Sequence, residues 1–387
     1  MPDIFLCKRG PPKLGLPLAR ITWKDRKTVM IYFEADDDGH FRSDLKEKTI
    51  SEGNAGQGAD AADGTEVGLS AEERILTNPL FGEPVIKTAP AREAYYALRL
   101  RLLSGMSGFT VLGKSEMGPG ETLKVLCQYL KQEYPQLPVY EHVVWRCSSP
   151  TQSRVLSALL SSAGHGILRG SDEDRMKRLL NMQEEKALVG GSPSSVWMIH
   201  NAELIDVWTC KALLDMRNAL ILRGIRLFLV HGANVDPFLR RVSSLVPKVG
   251  QNELRTLFGD SHTLRGVSGL EEYAGILMEI DTRKIGAESA VTWSQALLPE
   301  AYRGGFRLKN QAPALHAAIT ERNLEGEFPI RALFEVIRSV MSMSARHDSP
   351  DLEIPQDVWA RAVAVVMGIG SSYLQGSSTS RASSHAR

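Results

Sequence analysis

Residues 106–122, Met-Ser-Gly-Phe-Thr-Val-Leu-Gly-Lys-Ser-Glu-Met-Gly-Pro-Gly-Glu-Thr, pair a short apolar run with closely spaced glycines and the start of a helical pattern. This is the layout of a strand, a phosphate-binding loop and a helix. A complete loop of the form G-x-x-x-x-G-K-[ST] cradles phosphates with backbone N–H groups, reaches them with the Lys and places the hydroxyl on Mg²⁺. Gly113 and Gly118 have the required separation, but Pro119 stands at the Lys position and Gly120 at the hydroxyl position. Pro119 also removes a backbone donor.

Two other registers exist. A literal match at Gly108 to Gly113-Lys114-Ser115 would put the strand residues Phe109 to Leu112 inside the loop, so it reads as a coincidence. Taking Gly120 as the second glycine puts Glu121 at the Lys position and Thr122 at the Mg²⁺ hydroxyl. No register is complete, and a ligand-free glycine turn would leave the same trace.

Further strand ends follow at suitable spacing. Ser195 to Asp206 is apolar up to His200-Asn201, where a P-loop ATPase carries the carboxylates that hold Mg²⁺ and polarise water. Arg226 to Asn234 ends in Asn234, where a γ-phosphate sensor would lie. Three strand ends with intervening helices predict a parallel α/β core.

The elements that must position these residues start with a hairpin of Arg20 to Trp23 and Thr28 to Phe33, a candidate partner edge. Residues 34–69, rich in Gly, Ala and Asp, predict a flexible linker. Ser70 to Glu73 predicts a capped helix start. Helices are expected over 91–103, 153–162, 204–223, 270–280, 306–322, 330–342 and around 358–366, with a second strand over 139–145. Residues 369–387 predict a disordered, serine-rich tail.

Composition narrows the classes. The chain of 387 residues has 46 basic and 45 acidic residues, so any nucleic-acid contact must come from local patches. Cys7, Cys127, Cys147 and Cys210 lack the C-x-x-C pairing of a zinc site and read as buried thiols of a reducing compartment. No metal site is expected. Without a leader pattern or a membrane-length apolar run, the expectation is a cytoplasmic protein without membrane contact.

From Asn78-Pro79-Leu80-Phe81 through the glycine loop to Val291 to Tyr302 and Gly305-Phe306-Arg307-Leu308, the chain resembles the AAA+ target-selection ATPases of multi-gene DNA transposons, the TnsC/TniB type. The resemblance covers roughly residues 72–340. It implies an α/β AAA+ P-loop core over 70–285 and a small helical lid with C-terminal helices over 286–368. It implies ATP at subunit boundaries, rings or filaments on duplex DNA, and partners that include a transposase and a target-site reader. It also implies a homo-oligomer, or a co-oligomer with an AAA+ paralogue. By the same resemblance Arg240 or Arg241 would face a neighbour's γ-phosphate, Arg307 would be a second sensor, and Arg169, Arg175, Lys177 and Arg178 would face DNA phosphates; solvated mixed-charge helix faces would read alike.

The departures at Pro119, Glu121, His200 and Asn201 remove nearly every electrostatic term of phosphoryl transfer. The expectation is a transposition adaptor that does not hydrolyse ATP and has no catalytic residues or certain cofactor. One alternative is an active ATP- and Mg²⁺-dependent regulator in which Lys114 or a neighbour's arginine substitutes and Glu121 or Glu203 supplies the carboxylate. Another is a scaffold unrelated to DNA.

Overall fold

A computed structural model describes residues 21–22, 28–29, 69–286, 288–321 and 326–375. Nearly all of the expected linker, the end of the tail, Cys7 and most of the hairpin lie outside the described residues. In the N-terminal unit, Met1–Lys46, strands β1 (Ile21–Thr22) and β2 (Thr28–Val29) pair antiparallel, with Ile21 opposite Val29 and Thr22 opposite Thr28.

The larger unit opens with α1 (Ala71–Thr77), capped reciprocally by Ser70 and Glu73. Helix α2 (Ala89–Leu103) leads into β3 (Gly108–Gly113), a single 3-10 turn over Ser115–Met117, and α3 (Pro119–Glu133). Then come β4 (Val139–Val143), α4 (Gln152–Ser162), α5 (Asp172–Gly190), β5 (Ser194–His200), α6 (Val207–Leu222) and β6 (Arg226–Asn234). Helices α7 (Val235–Val249) and α8 (Gln251–Phe258) and strand β7 (Asp260–Thr263) complete the core.

The five core strands pair in parallel in the order β4-β5-β6-β3-β7. Phe109 to Leu112, which the literal motif match would put in the loop, lie within β3. Alternation along the buried strands sorts side chains to two faces. Val196, Met198, Phe228 and Val230 pack with α2 and α3, whereas Trp197, Ile199, Leu227 and Leu229 pack with α4 to α8. The carboxyl ends of β3, β5 and β6 therefore share one edge, with Gly113 directly opposite Asn234. In open parallel sheets this edge is where ligands bind.

The rest is helical: α9 (Gly269–Thr282), α10 (Trp293–Leu297), α11 (Pro299–Arg303), α12 (Ala312–Thr320), α13 (Ile330–Ala345) and α14 (Gln356–Gln375). With the sheet and its flanking helices they make an α/β core followed by a helical lid. Three expectations need correction. The lid begins before residue 286, because the apolar stripe of α9 (Tyr273, Ile276, Leu277, Ile280) packs with the lid helices, and Leu80 and Ile86 join the same cluster. Asn78 explains that attachment: its Nδ2 donates to the Trp293 carbonyl at 2.9 Å while its Oδ1 accepts the Leu80 N–H at 3.0 Å. The expected tail boundary also moves, since α14 runs to Gln375; glycine and serine weaken an established helix by about 1 kcal/mol each or less without ending it. Finally, Cys147 is exposed, whereas Cys127 and Cys210 are buried thiols as expected.

Among the described residues no helix is long and apolar enough to cross a membrane, and no group of three or more His, Cys, Asp or Glu is arranged to hold a metal ion.

Candidate functional site

The segment between β3 and α3 is short, and its own backbone closes it. The Met117 N–H donates to the Lys114 carbonyl at 2.9 Å and the Gly118 N–H to the Ser115 carbonyl at 3.3 Å, forming the 3-10 turn. Gly118 takes a left-handed conformation (φ 66°) that lets the chain turn into α3, where Pro119 fills the first helical position. The Thr122 N–H donates to the Gly118 carbonyl at 2.9 Å. The Met117, Gly118 and Thr122 N–H groups are thus engaged inside the turn, and Pro119 has none to offer.

The lid covers this turn. Arg331, in the first turn of α13, donates from Nη1 to Ser115 Oγ at 3.1 Å and from Nη2 to Glu121 Oε1 at 2.7 Å. A Cβ on Gly118 would sit 3.2 Å from Ile330 Cγ2, so the lid approaches to contact distance over the glycine. Beside this, Lys124 Nζ pairs with Glu83 Oε2 at 2.7 Å. Lys114 is exposed and Thr122 is buried. Gly120 follows Pro119 in the first turn of α3. As folded, Ser115 and Glu121 are held by a cation of the chain itself.

At the end of β5, His200 is buried and its Nε2 lies 3.5 Å from Glu141 Oε2. Glu141 also accepts from Cys127 Sγ at 3.1 Å and from Lys131 Nζ at 3.2 Å. Its carboxyl is drawn down to about 2, chiefly by the His200 hydrogen bond and against the opposing effect of burial. Burial pushes the Cys127 thiol up to about 12, so it is no thiolate nucleophile at neutral pH. Asn201 adopts φ 56°, a left-handed conformation that asparagine tolerates, and its Nδ2 donates to the Val144 carbonyl at 3.4 Å. Neither His200 nor Asn201 supplies an anionic metal ligand.

Glu203, in the turn after β5, is engaged by Asn234. The Asn234 Nδ2 donates to its Oε1 at 2.6 Å and the Asn234 N–H to its Oε2 at 3.4 Å. The Asn234 Oδ1 is buried without a partner among the described residues. Arg241 Nε donates to the Glu203 carbonyl at 3.3 Å. Arg240 and Arg241 line a cleft of about 450 Å³ with Glu203 and Arg146.

The remaining predicted residues lie elsewhere. Arg307 stays in the lid, donating to the Tyr302 and Phe306 carbonyls and lying 3.7 Å above the centre of the Tyr302 ring. Arg175 donates to the Leu168 carbonyl at 2.8 Å, to Ser153 Oγ at 2.7 Å and to Asp172 at 3.0 Å. Arg178 donates to the Arg169 carbonyl at 2.6 Å and the Ile167 carbonyl at 3.3 Å. Both arginines shape the loop between α4 and α5, while Arg169 and Lys177 are exposed.

Sequence reasoning missed Arg331, Glu141 and Arg146. An arginine at the start of an apolar-striped helix gives no sign of which loop it will meet. Glu141 did carry a signal: it is a single charge inside an otherwise apolar strand pattern.

No protein-family description and no curated protein matches the sequence. Similar solved structures include the Aeropyrum pernix ORC1 protein in complex with DNA, at 13% identity and a TM-score of 0.44, covering 76% of this chain and 69% of that one. Drosophila ORC bound to DNA is similar at 14% identity and a TM-score of 0.42, covering 85% and 74%. Domain III of the Thermotoga maritima replication initiation protein DnaA is similar at 12% identity and a TM-score of 0.35, covering 74% and 94%. The strand order and the two-faced sheet, rather than these likenesses, carry the fold.

Proposed function

We propose that this chain is an AAA+-type adaptor of DNA transposition that does not hydrolyse ATP. It would link target DNA, or a target-site reader, to a transposase in the cytoplasm, acting with further copies of itself or with an AAA+ paralogue. The observation that supports the non-hydrolysing part is the Arg331 clamp: a lid cation paired with Glu121 and hydrogen-bonded to Ser115 over the turn. A phosphoryl group entering there would have to displace Glu121 from Arg331 and would find Pro119 and Gly120 where a P-loop carries its Lys and hydroxyl. The transposition part rests on the sequence resemblance over residues 72–340, and the N-terminal hairpin is proposed as a partner edge.

Calorimetry of the full chain with ATP and Mg²⁺ tests the reading. We expect no binding up to millimolar nucleotide and no turnover with duplex DNA present. Binding in the micromolar range, or turnover lost in Glu203→Gln, would overturn it in favour of an active regulator.

A further inference from the structure

Three arginines line one cleft near the carboxyl ends of β4, β5 and β6. Arg146 follows β4, Arg240 and Arg241 lie on α7, and they line the cleft of about 450 Å³ together with Leu204 and Pro237. All three are exposed. Among the described residues Arg146 and Arg240 make no hydrogen bond or ion pair, and Arg241 uses only its Nε, on the Glu203 carbonyl. The one carboxylate in the lining, Glu203, has both oxygens engaged by Asn234. The cleft therefore holds three positive charges against one negative charge that already has partners. Like charges in proximity repel, so this arrangement favours an incoming anion.

We propose that this cleft is a phosphate-ester site that seats the sugar-phosphate backbone of a nucleic acid. An arginine fork matches phosphate oxygens in paired hydrogen bonds, and Arg146 and Arg240 have all their donors available. The lining is charged, with Leu204 and Pro237 its only apolar members, so it lacks the apolar enclosure that holds a small molecule's ring system. Backbone contacts of this kind position a protein on nucleic acid without reading sequence. The inference rests on the reading above only for the identity of the polyanion; the cleft and its unpaired arginines stand apart from the glycine loop.

The test is fluorescence anisotropy of the full chain with a labelled DNA duplex across a salt series. It compares wild type, Arg146→Ala/Arg240→Ala, and Arg303→Ala/Arg361→Ala, which removes two exposed lid arginines (71% and 72% exposed side chains) and serves as the charge control. The cleft variant should bind about tenfold or more weakly, and its slope of log affinity against log salt should be shallower by about two. The control should change neither beyond a small uniform shift, and the thermal midpoints of all three should agree. Arg146→Lys/Arg240→Lys should restore the salt slope. Duplex binding with unchanged affinity and slope in the cleft variant would overturn the site while leaving a DNA partner intact. Failure of the wild type to bind duplex at low salt would overturn the nucleic-acid seat together with the DNA part of the proposed function. ATP binding by calorimetry that vanishes in the cleft variant while duplex binding persists would assign the site to a nucleotide's phosphates and overturn the nucleic-acid seat.

Discussion

Arg331 Nη2 lies 2.7 Å from Glu121 Oε1, joining the first turn of the lid helix α13 to the first turn of the loop helix α3. The two side chains are 47% and 44% exposed, so the pair is weak as a stabiliser and selective as a latch. Arg331→Ala and Glu121→Gln should each lower stability by no more than about 1 kcal/mol. Both should speed amide exchange at residues 115–121, and added salt should bring wild type toward the variants. Unchanged exchange in both variants would mean that Ile330 packing alone holds the lid.

Acid should destabilise the fold in a defined window. Burial lowers His231 to about 3 from 6.5, with the Phe109 backbone offsetting a little; burial and then the charge of His200 lower His142 to about 4. A group whose folded pKa is lowered takes up its proton more readily when unfolded, so stability is full above about pH 6.5 and falls as pH drops toward the folded values. Each histidine contributes a slope approaching about 1.4 kcal/mol per pH unit between those limits. Glu141, at about 2, adds loss in the same direction below pH 4.5. His231→Leu should flatten the dependence of the urea midpoint on pH by about one proton, with neutral-pH stability within about 1.5 kcal/mol of wild type. An unchanged slope would exclude His231 as the titrating group.

Asp281 organises the lid from inside. Its carboxylate, 6% exposed by residue, accepts from Ser294 Oγ at 2.6 Å and from the Leu308 and Lys309 N–H groups at 3.0 and 2.7 Å. Asp281→Ala strands three donors and should cost about 3 kcal/mol or more by chemical denaturation. Asp281→Asn keeps one acceptor and should cost distinctly less. Equal costs would place the effect in packing.

Arg175 and Arg178 give a further contrast. Because Arg175 spans Leu168, Ser153 and Asp172, Arg175→Ala should lower stability by about 1–3 kcal/mol and expose the segment 164–170 to proteolysis. Arg175→Lys should not rescue it, since a point charge cannot reach several acceptors in one plane. If Arg175→Ala leaves stability intact and weakens DNA binding alone, the residue is a phosphate contact after all.

The sequence by itself determined the parallel α/β core. Buried strands leave continuous apolar runs, which is why β3, β5 and β6 were legible at Phe109, Val196 and Leu227, and the glycine spacing marked the turn into α3. The identities of Pro119, His200 and Asn201 need no geometry. The tertiary structure alone decided which side chains meet around the loop. Arg331 is 210 residues from Glu121, and no local pattern encodes a pairing across that distance. Strand β7, Asp-Ser-His-Thr, went unread because an edge strand with exposed side chains carries no apolar signal. The lid boundary moved because a helical stripe such as that of α9 says that a face is buried but not against which neighbour. The arginine cleft was half legible: Arg240 and Arg241 stood out in sequence, whereas Arg146 joins them only because parallel pairing brings the ends of β4, β5 and β6 to one edge.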